Sequence, residues 1–147
     1  MSCCLRKFCR IVAARLSVTE VVLDASALMA LFRKEPGADA VAVRLSDAVM
    51  SAVNYSELLK KVIERGGAAE AMIELVGGFA VQIIPFDASL AARSAALYLQ
   101  TKEHGLSFAD RACLALGLQR GASVLTTDRK WRVIDLPIKV MLIRNEH

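Results

Sequence analysis

Leu106–Asp128 reads LSFADRACLALGLQRGASVLTTD. Within it, Ser107–Gln119 is a nearly all-apolar helical run that Gly121 ends. Ser123–Leu125 follows as a short strand, and Asp128 lies just beyond it. A helix feeding a short apolar strand is the unit from which a helix-covered sheet is built. Upstream, Pro85-Phe86-Asp87 leads into a long helix from Ala88 to about Glu103, with Lys102 and His104 in its last turn and Gly105 beyond. Phe79–Ile84 (FAVQII) reads as a strand, and Ala68–Val76 as a helix stopped by Gly77-Gly78. Asn54–Arg65 is amphipathic, with Tyr55, Leu58, Leu59 and Val62 on one face. Ala48–Ser51 (AVMS) is a strand, and Ala38–Leu45 and Ser26–Phe32 are short helices. Glu20–Leu23 (EVVL) is the first strand and breaks at Asp24; Ile138–Ile143 (IKVMLI) is the last. Strands separated by helices predict an α/β fold: a single three-layer α/β/α domain with a five-stranded parallel sheet. Ligands of such sheets bind in the crevice beyond the carboxyl ends of the strands.

Composition agrees. The chain of 147 residues is long enough for one domain with a real core. It is 55% hydrophobic but only 5% aromatic, so Ala, Leu, Val and Ile carry the apolar mass, as buried parallel strands under Ala-rich helices require. No apolar run approaches the roughly 20 residues of a membrane-spanning helix. The formal charge of +4 resides in the N-terminal segment, where Arg6, Lys7, Arg10 and Arg15 face no acid. The basic balance is therefore no argument that the domain binds nucleic acid. We divide the chain into a basic tail, residues 1–19, and a domain, residues 20–147. The tail superficially resembles a transit peptide but lacks the apolar core of a secretory signal; we read it as an extension from a start assigned too early. Cys3, Cys4, Cys9 and Cys113 form no CxxC, and His104 and His147 are not spaced with them as zinc ligands. Neither a disulfide nor a zinc site is expected, and a reducing cytoplasm fits best.

Four acids fall where the crevice is expected. Asp24 follows the first strand, Glu57 opens the helix after the second, Asp110 lies in the first turn of the apolar helix, and Asp128 follows the fourth strand. Each has a local explanation. Asp24 or Ser26 would cap the next helix. Asn54-Tyr55-Ser56-Glu57 and Ser107-Phe108-Ala109-Asp110 both match capping boxes. Asp128 suits a turn. Two observations weigh against capping alone. Asp110 interrupts an apolar run, where an unpaired carboxylate costs several kcal/mol. All four acids, from separate segments, meet at one end of the sheet, where their repulsion calls for a hard divalent cation. Asp87 reads as an ordinary N-cap.

At these residues the chain resembles the PIN-domain ribonucleases, most of all the VapC-type toxins of toxin–antitoxin pairs. VLDASAL (Val22–Leu28), NYSE (Asn54–Glu57), LSFADRACLALG (Leu106–Gly117) and LTTDRKW (Leu125–Trp131) stand in the order of that family's motifs. No one of them is specific; the four in order are. The resemblance implies a PIN-like fold and an acidic quartet of Asp24, Glu57, Asp110 and Asp128 binding Mg²⁺ (or Mn²⁺). Ser26 and Thr127 match its supporting hydroxyls. It further implies endoribonuclease activity on an RNA substrate, a homodimer and a cognate antitoxin. Arg111, Arg129, Lys130 and Arg132 flank two of the acids and are candidate phosphate contacts, against the plainer reading of solvated surface. Trp131 suits base stacking less well than core packing. A non-catalytic module that binds antitoxin or RNA is the alternative. Phosphatases of the haloacid-dehalogenase type need a second acid after Asp24, where Ser26 stands; phospho-receiver domains need an acidic pair, where Leu23-Asp24 offers one acid.

Overall fold

A computed structural model describes residues 19–144. The basic tail thus lies outside the described residues as far as position 18, and so does His147. Five strands form one sheet: β1 (Val21–Leu23), β2 (Ala48–Ser51), β3 (Gln82–Ile84), β4 (Ser123–Thr126) and β5 (Val140–Leu142). Their order is β3-β2-β1-β4-β5, and every neighbouring pair is parallel. The helices are α1 (Ala25–Phe32), α2 (Ala38–Ala42), α3 (Ala52–Glu64), α4 (Ala69–Gly78), α5 (Ala88–Ala96), α6 (Tyr98–Thr101) and α7 (Phe108–Arg120). Among the described residues no helix is long and apolar enough to cross a membrane.

Strand side chains alternate between two cores, as the period of two demands. Val21, Leu23, Ala48, Met50 and Leu125 pack with α1–α4 on one face, around Leu28, Val41 and Leu58. Val22, Val49 and Val124 pack on the other, with Leu90 of α5, Leu114 and Leu116 of α7, and Trp131. The sheet is covered on both faces, which explains why its strands read as continuous apolar runs. Trp131 is 1% exposed, so it serves the core, as its sequence context suggested. Gly117 sets how close α7 lies: a Cβ there would meet Val124 Cγ2 at 2.6 Å and strike Ile138 Cδ1. That close approach fixes the helix whose first turn carries Asp110.

Several boundaries differ from the sequence reading. Helix α4 runs through Gly77-Gly78 and is capped by Phe79; the turn comes at Ala80, whose φ is 57°. Glycine tolerates a turn without compelling one, so the expected strand Phe79–Ile84 shrinks to Gln82–Ile84. The long helix expected from Ala88 to Glu103 breaks at Leu97 into α5, α6 and a 3₁₀ turn over Lys102–His104. Near the break, the buried Thr101 hydroxyl donates back to the Leu97 carbonyl at 2.8 Å. The second short helix stops at Ala42 and is followed by a 3₁₀ turn, Leu45–Asp47. Helix α3 begins earlier than its amphipathic pattern suggested, capped by the Ser51 hydroxyl, which accepts from the Val53 N–H. Asn54 is therefore not a cap.

Candidate active site

The direction of chain progression reverses at β1: β2 and β3 lie on one side of it, β4 and β5 on the other. Such a switch point opens a crevice at the carboxyl ends of the flanking strands. The Asp24 N–H donates to the Leu125 carbonyl at 3.0 Å, tying the ends of β1 and β4 together. Asp24 occupies the N-cap position of α1, yet its side chain makes no capping bond. Instead its carboxylate is held from three sides. Ser26 Oγ donates to Oδ2 at 2.6 Å and Thr126 Oγ1 at 3.0 Å, while Asn54 Nδ2 donates to Oδ1 at 3.3 Å. The hydroxyls are themselves held: Ser26 Oγ accepts from the Thr127 N–H at 3.0 Å, and Thr126 Oγ1 from the Asp128 N–H at 3.1 Å.

Asp24 is 4% exposed. Burial pushes its carboxyl above the ordinary range, the Ser26 and Thr126 hydroxyls pull it back, and nearby Glu57 pushes it up again while Lys61 eases it down. The acid that burial singles out is thus Asp24. Asp110, the interruption in the apolar run, is only half-buried and sits in a complete capping box. Its Oδ2 accepts from the Ser107 N–H at 2.7 Å, and its own N–H donates to Ser107 Oγ at 3.2 Å. Its carboxyl is also raised, first by burial, against the Ser107 bonds, with Asp24 and Asp128 adding repulsion. Asp128 caps a 3₁₀ turn over Arg129–Val133, accepting from the Lys130 N–H at 2.9 Å. Glu57 pairs with Lys61 one turn along α3, at 3.4 Å.

Electrostatic coupling therefore links all four acids: Asp24 with Glu57, Asp24 with Asp110, and Asp110 with Asp128. They border one region, but among the described residues no three Asp, Glu, His or Cys side chains close into a ligand cage. The donor set nevertheless suits a hard divalent cation. It is all oxygen, and its centre is a buried carboxylate that burial disfavours as an anion. Beside it, the buried Asn54 Oδ1 has no hydrogen-bond partner among the described residues.

Asn54 and Thr126 are the site residues that sequence reading missed. Asn54 Nδ2 also donates to the Ala109 carbonyl at 3.0 Å, so one amide joins β1, α3 and α7. The signal was available: Asn54 lies four residues before Leu58, on the apolar face of α3, where a polar side chain needs a reason. Thr127 was the expected hydroxyl. The one that reaches Asp24 is Thr126, and Thr127 contributes its backbone N–H to Ser26. Strand alternation explains the difference, because neighbours on an extended chain point to opposite sides. Of the expected phosphate contacts, Arg111 is engaged elsewhere: it donates to the Leu106 carbonyl at 3.1 Å and lies over the Tyr98 ring at 5.5 Å. Arg129 and Lys130 are exposed just beyond Asp128.

The PIN-domain family profile matches residues 21–136. The chain belongs to the PIN-domain family. This bears out the resemblance read from the order of the four motifs. Solved structures with the same fold include the DNA-bound VapBC complex of Salmonella typhimurium, with a TM-score of 0.65 at 18% identity over 86% of this chain and 99% of that one. FitAcB from Neisseria gonorrhoeae gives 0.64 at 25% identity, over 84% and 97%. Mycobacterium tuberculosis VapC20, described as a sarcin-ricin loop cleaving toxin, gives 0.62 at 18% identity, over 82% and 99%. No curated protein matches the sequence significantly. In this PIN domain the switch point of the sheet and the buried Asp24 coincide.

Proposed function

We propose that this PIN domain is a Mg²⁺- or Mn²⁺-dependent endoribonuclease, the toxin of a toxin–antitoxin pair. It would work in the cytoplasm as a homodimer restrained by a cognate antitoxin. The observation that carries this reading is Asp24. A carboxylate 4% exposed, fixed by three side-chain donors and repelled by Glu57, is costly for stability and is well suited to holding a cation. The toxin–antitoxin solved structures with this fold support the partner and the nuclease class.

When bound, a hard divalent cation supplies positive charge for a phosphodiester and acidifies a water at neutral pH. Asp24 and Asp110 would hold it, with Glu57 and Asp128 in support. The chain's own contribution is orientation. Ser26 and Thr126 fix Oδ2 of Asp24, Asn54 fixes Oδ1, and the capping box fixes Asp110. Lys61 offsets the charge of Glu57 and Asp24. No histidine is needed as a general base.

A second reading, an inert module that binds antitoxin or RNA, is favoured by one observation. Glu57 is turned to Lys61 and Asp110 to its cap, so the acids do not close into a cage. One experiment separates the two. Antitoxin-free protein is incubated with total cellular RNA, with Mg²⁺ or Mn²⁺ and with EDTA, beside Asp24→Asn and Asp110→Asn variants shown to be folded by circular dichroism. Cation-dependent cleavage lost in both variants is expected. Intact RNA together with no cation binding by calorimetry would favour the inert module.

A further inference from the structure

We propose that a basic cleft beside Asp24 is the track that takes the RNA backbone next to the cut; this rests on the ribonuclease reading above. The cleft lies between the end of α1, the second half of α3 and the chain after β5. Arg33, Lys61, Arg65 and Arg144 line it, with Ser26 and, as the one carboxylate among the described residues, Glu35. Its volume of about 330 Å³ falls within the range of ligand-binding clefts.

Three features make it a place for phosphate. First, a site built from four carboxylates repels a polyanion, so positive charge must stand beside it for a strand to approach. Second, the cleft is continuous with the acids. Ser26 lines it while donating to Asp24 at 2.6 Å, and Lys61 lines it while pairing with Glu57 at 3.4 Å. Third, its positive charge is in excess, although Lys61 is shared with Glu57. Glu35 pairs with Arg33 at 2.9 Å and also with Arg144, one carboxylate between two guanidinium groups. Those two side chains are 52% and 42% exposed, and Arg65 is exposed as well, so all three are open to solvent. Guanidinium groups bridged by a shared carboxylate are held in place before a phosphate arrives, which reduces the side-chain entropy lost on binding. An acidic segment of a partner protein would meet the same charges. The contact with Ser26, one hydrogen bond from the buried Asp24, favours the substrate.

The test is fluorescence anisotropy in EDTA, where the wild-type chain binds without cutting. The probe is a fluorescein-labelled single-stranded RNA of mixed sequence, because phosphate contacts are independent of sequence. Arg65→Gln and Arg144→Gln are each expected to weaken binding several-fold. Each should lower the slope of log affinity against log salt by about 0.7, and the double variant by about twice that. Lys139→Gln, before β5 at the opposite end of the sheet, should change neither. Melting temperatures establish that the variants are folded. If wild type cleaves RNA but the arginine variants bind as it does, the track is wrong and the ribonuclease reading stands. If poly-glutamate binds as tightly as RNA and loses affinity equally in both variants, the cleft faces a protein and the proposal falls. Wild type that neither binds nor cuts any RNA removes the ribonuclease reading and the track with it.

Discussion

Two helix starts in this domain carry the same sequence signature and do different things. Asn54-x-x-Glu57 and Ser107-x-x-Asp110 both spell a capping box. At α7 the box forms, with both reciprocal bonds present. At α3 it does not. The helix starts at Ala52, Ser51 caps it, and Asn54 falls on the buried face, where its amide binds Asp24 and Ala109. A capping motif therefore states which bonds are possible, and the phase of the helix against the core decides which ones form. Where the phase buries the first polar residue, a cap becomes part of the site.

The contrast can be broken most sharply by removing the two first residues. Asn54→Ala takes from the buried Asp24 Oδ1 its Asn54 donor, and leaves the Ala109 carbonyl with only the bond of its own helix. A loss of about 2–3 kcal/mol in urea unfolding is expected, with RNA cleavage lost as well. A loss near zero would mean that water replaces the amide and that the bridge is dispensable.

Next in size is the effect of pH. Burial raises the carboxyls of Asp24 and Asp110 above their ordinary value of 3.8, so the folded chain holds those protons more tightly than the unfolded one. The stability they contribute is present in full below the unfolded pKa and is lost as pH rises through the raised folded values. Without divalent cation, Asp24→Asn is accordingly expected to be more stable than wild type at neutral pH, by roughly 0.5–2 kcal/mol. The difference should narrow toward pH ~4. Parallel thermal melts of the two proteins across pH, with and without Mg²⁺, provide the check. A difference of the opposite sign at neutral pH would show that the three donors outweigh burial.

Ser107→Ala tests the other half of the comparison. It removes one capping bond at an exposed helix start, and about 1 kcal/mol is expected, with cleavage reduced far less than in Asn54→Ala. Equal loss of activity in both would mean that the Asp110 cap is as much a part of the site as Asn54 is.

The smallest effect belongs to Glu57. Its bond to Lys61 is an i,i+4 pair at the edge of the site, so Glu57→Gln should cost only about 0.3–0.5 kcal/mol. The same change should abolish cation-dependent cleavage. A stability loss several times larger would make the ion pair, rather than chemistry, the reason for a carboxylate there.

The sequence by itself determined the layer architecture and the positions of the acids. Short apolar runs alternating with helical ones admit few arrangements other than a parallel sheet covered on both faces. Asp24, Asp110 and Asp128 are placed by local rules, at a strand end, in a helix first turn and after a strand. Element ends were less legible where glycine or a back-bonding threonine left the choice open, as at Gly77-Gly78 and Thr101. Only the tertiary structure decided which of the acids is buried, which hydroxyl reaches it and which cations stand beside it. Asp24, Asn54 and Thr126 come together across separations of 30 and 102 residues. Arg144 and Glu35 meet across 109. Hydrogen bonds and desolvation depend on distance in space, and no local pattern along the chain encodes it.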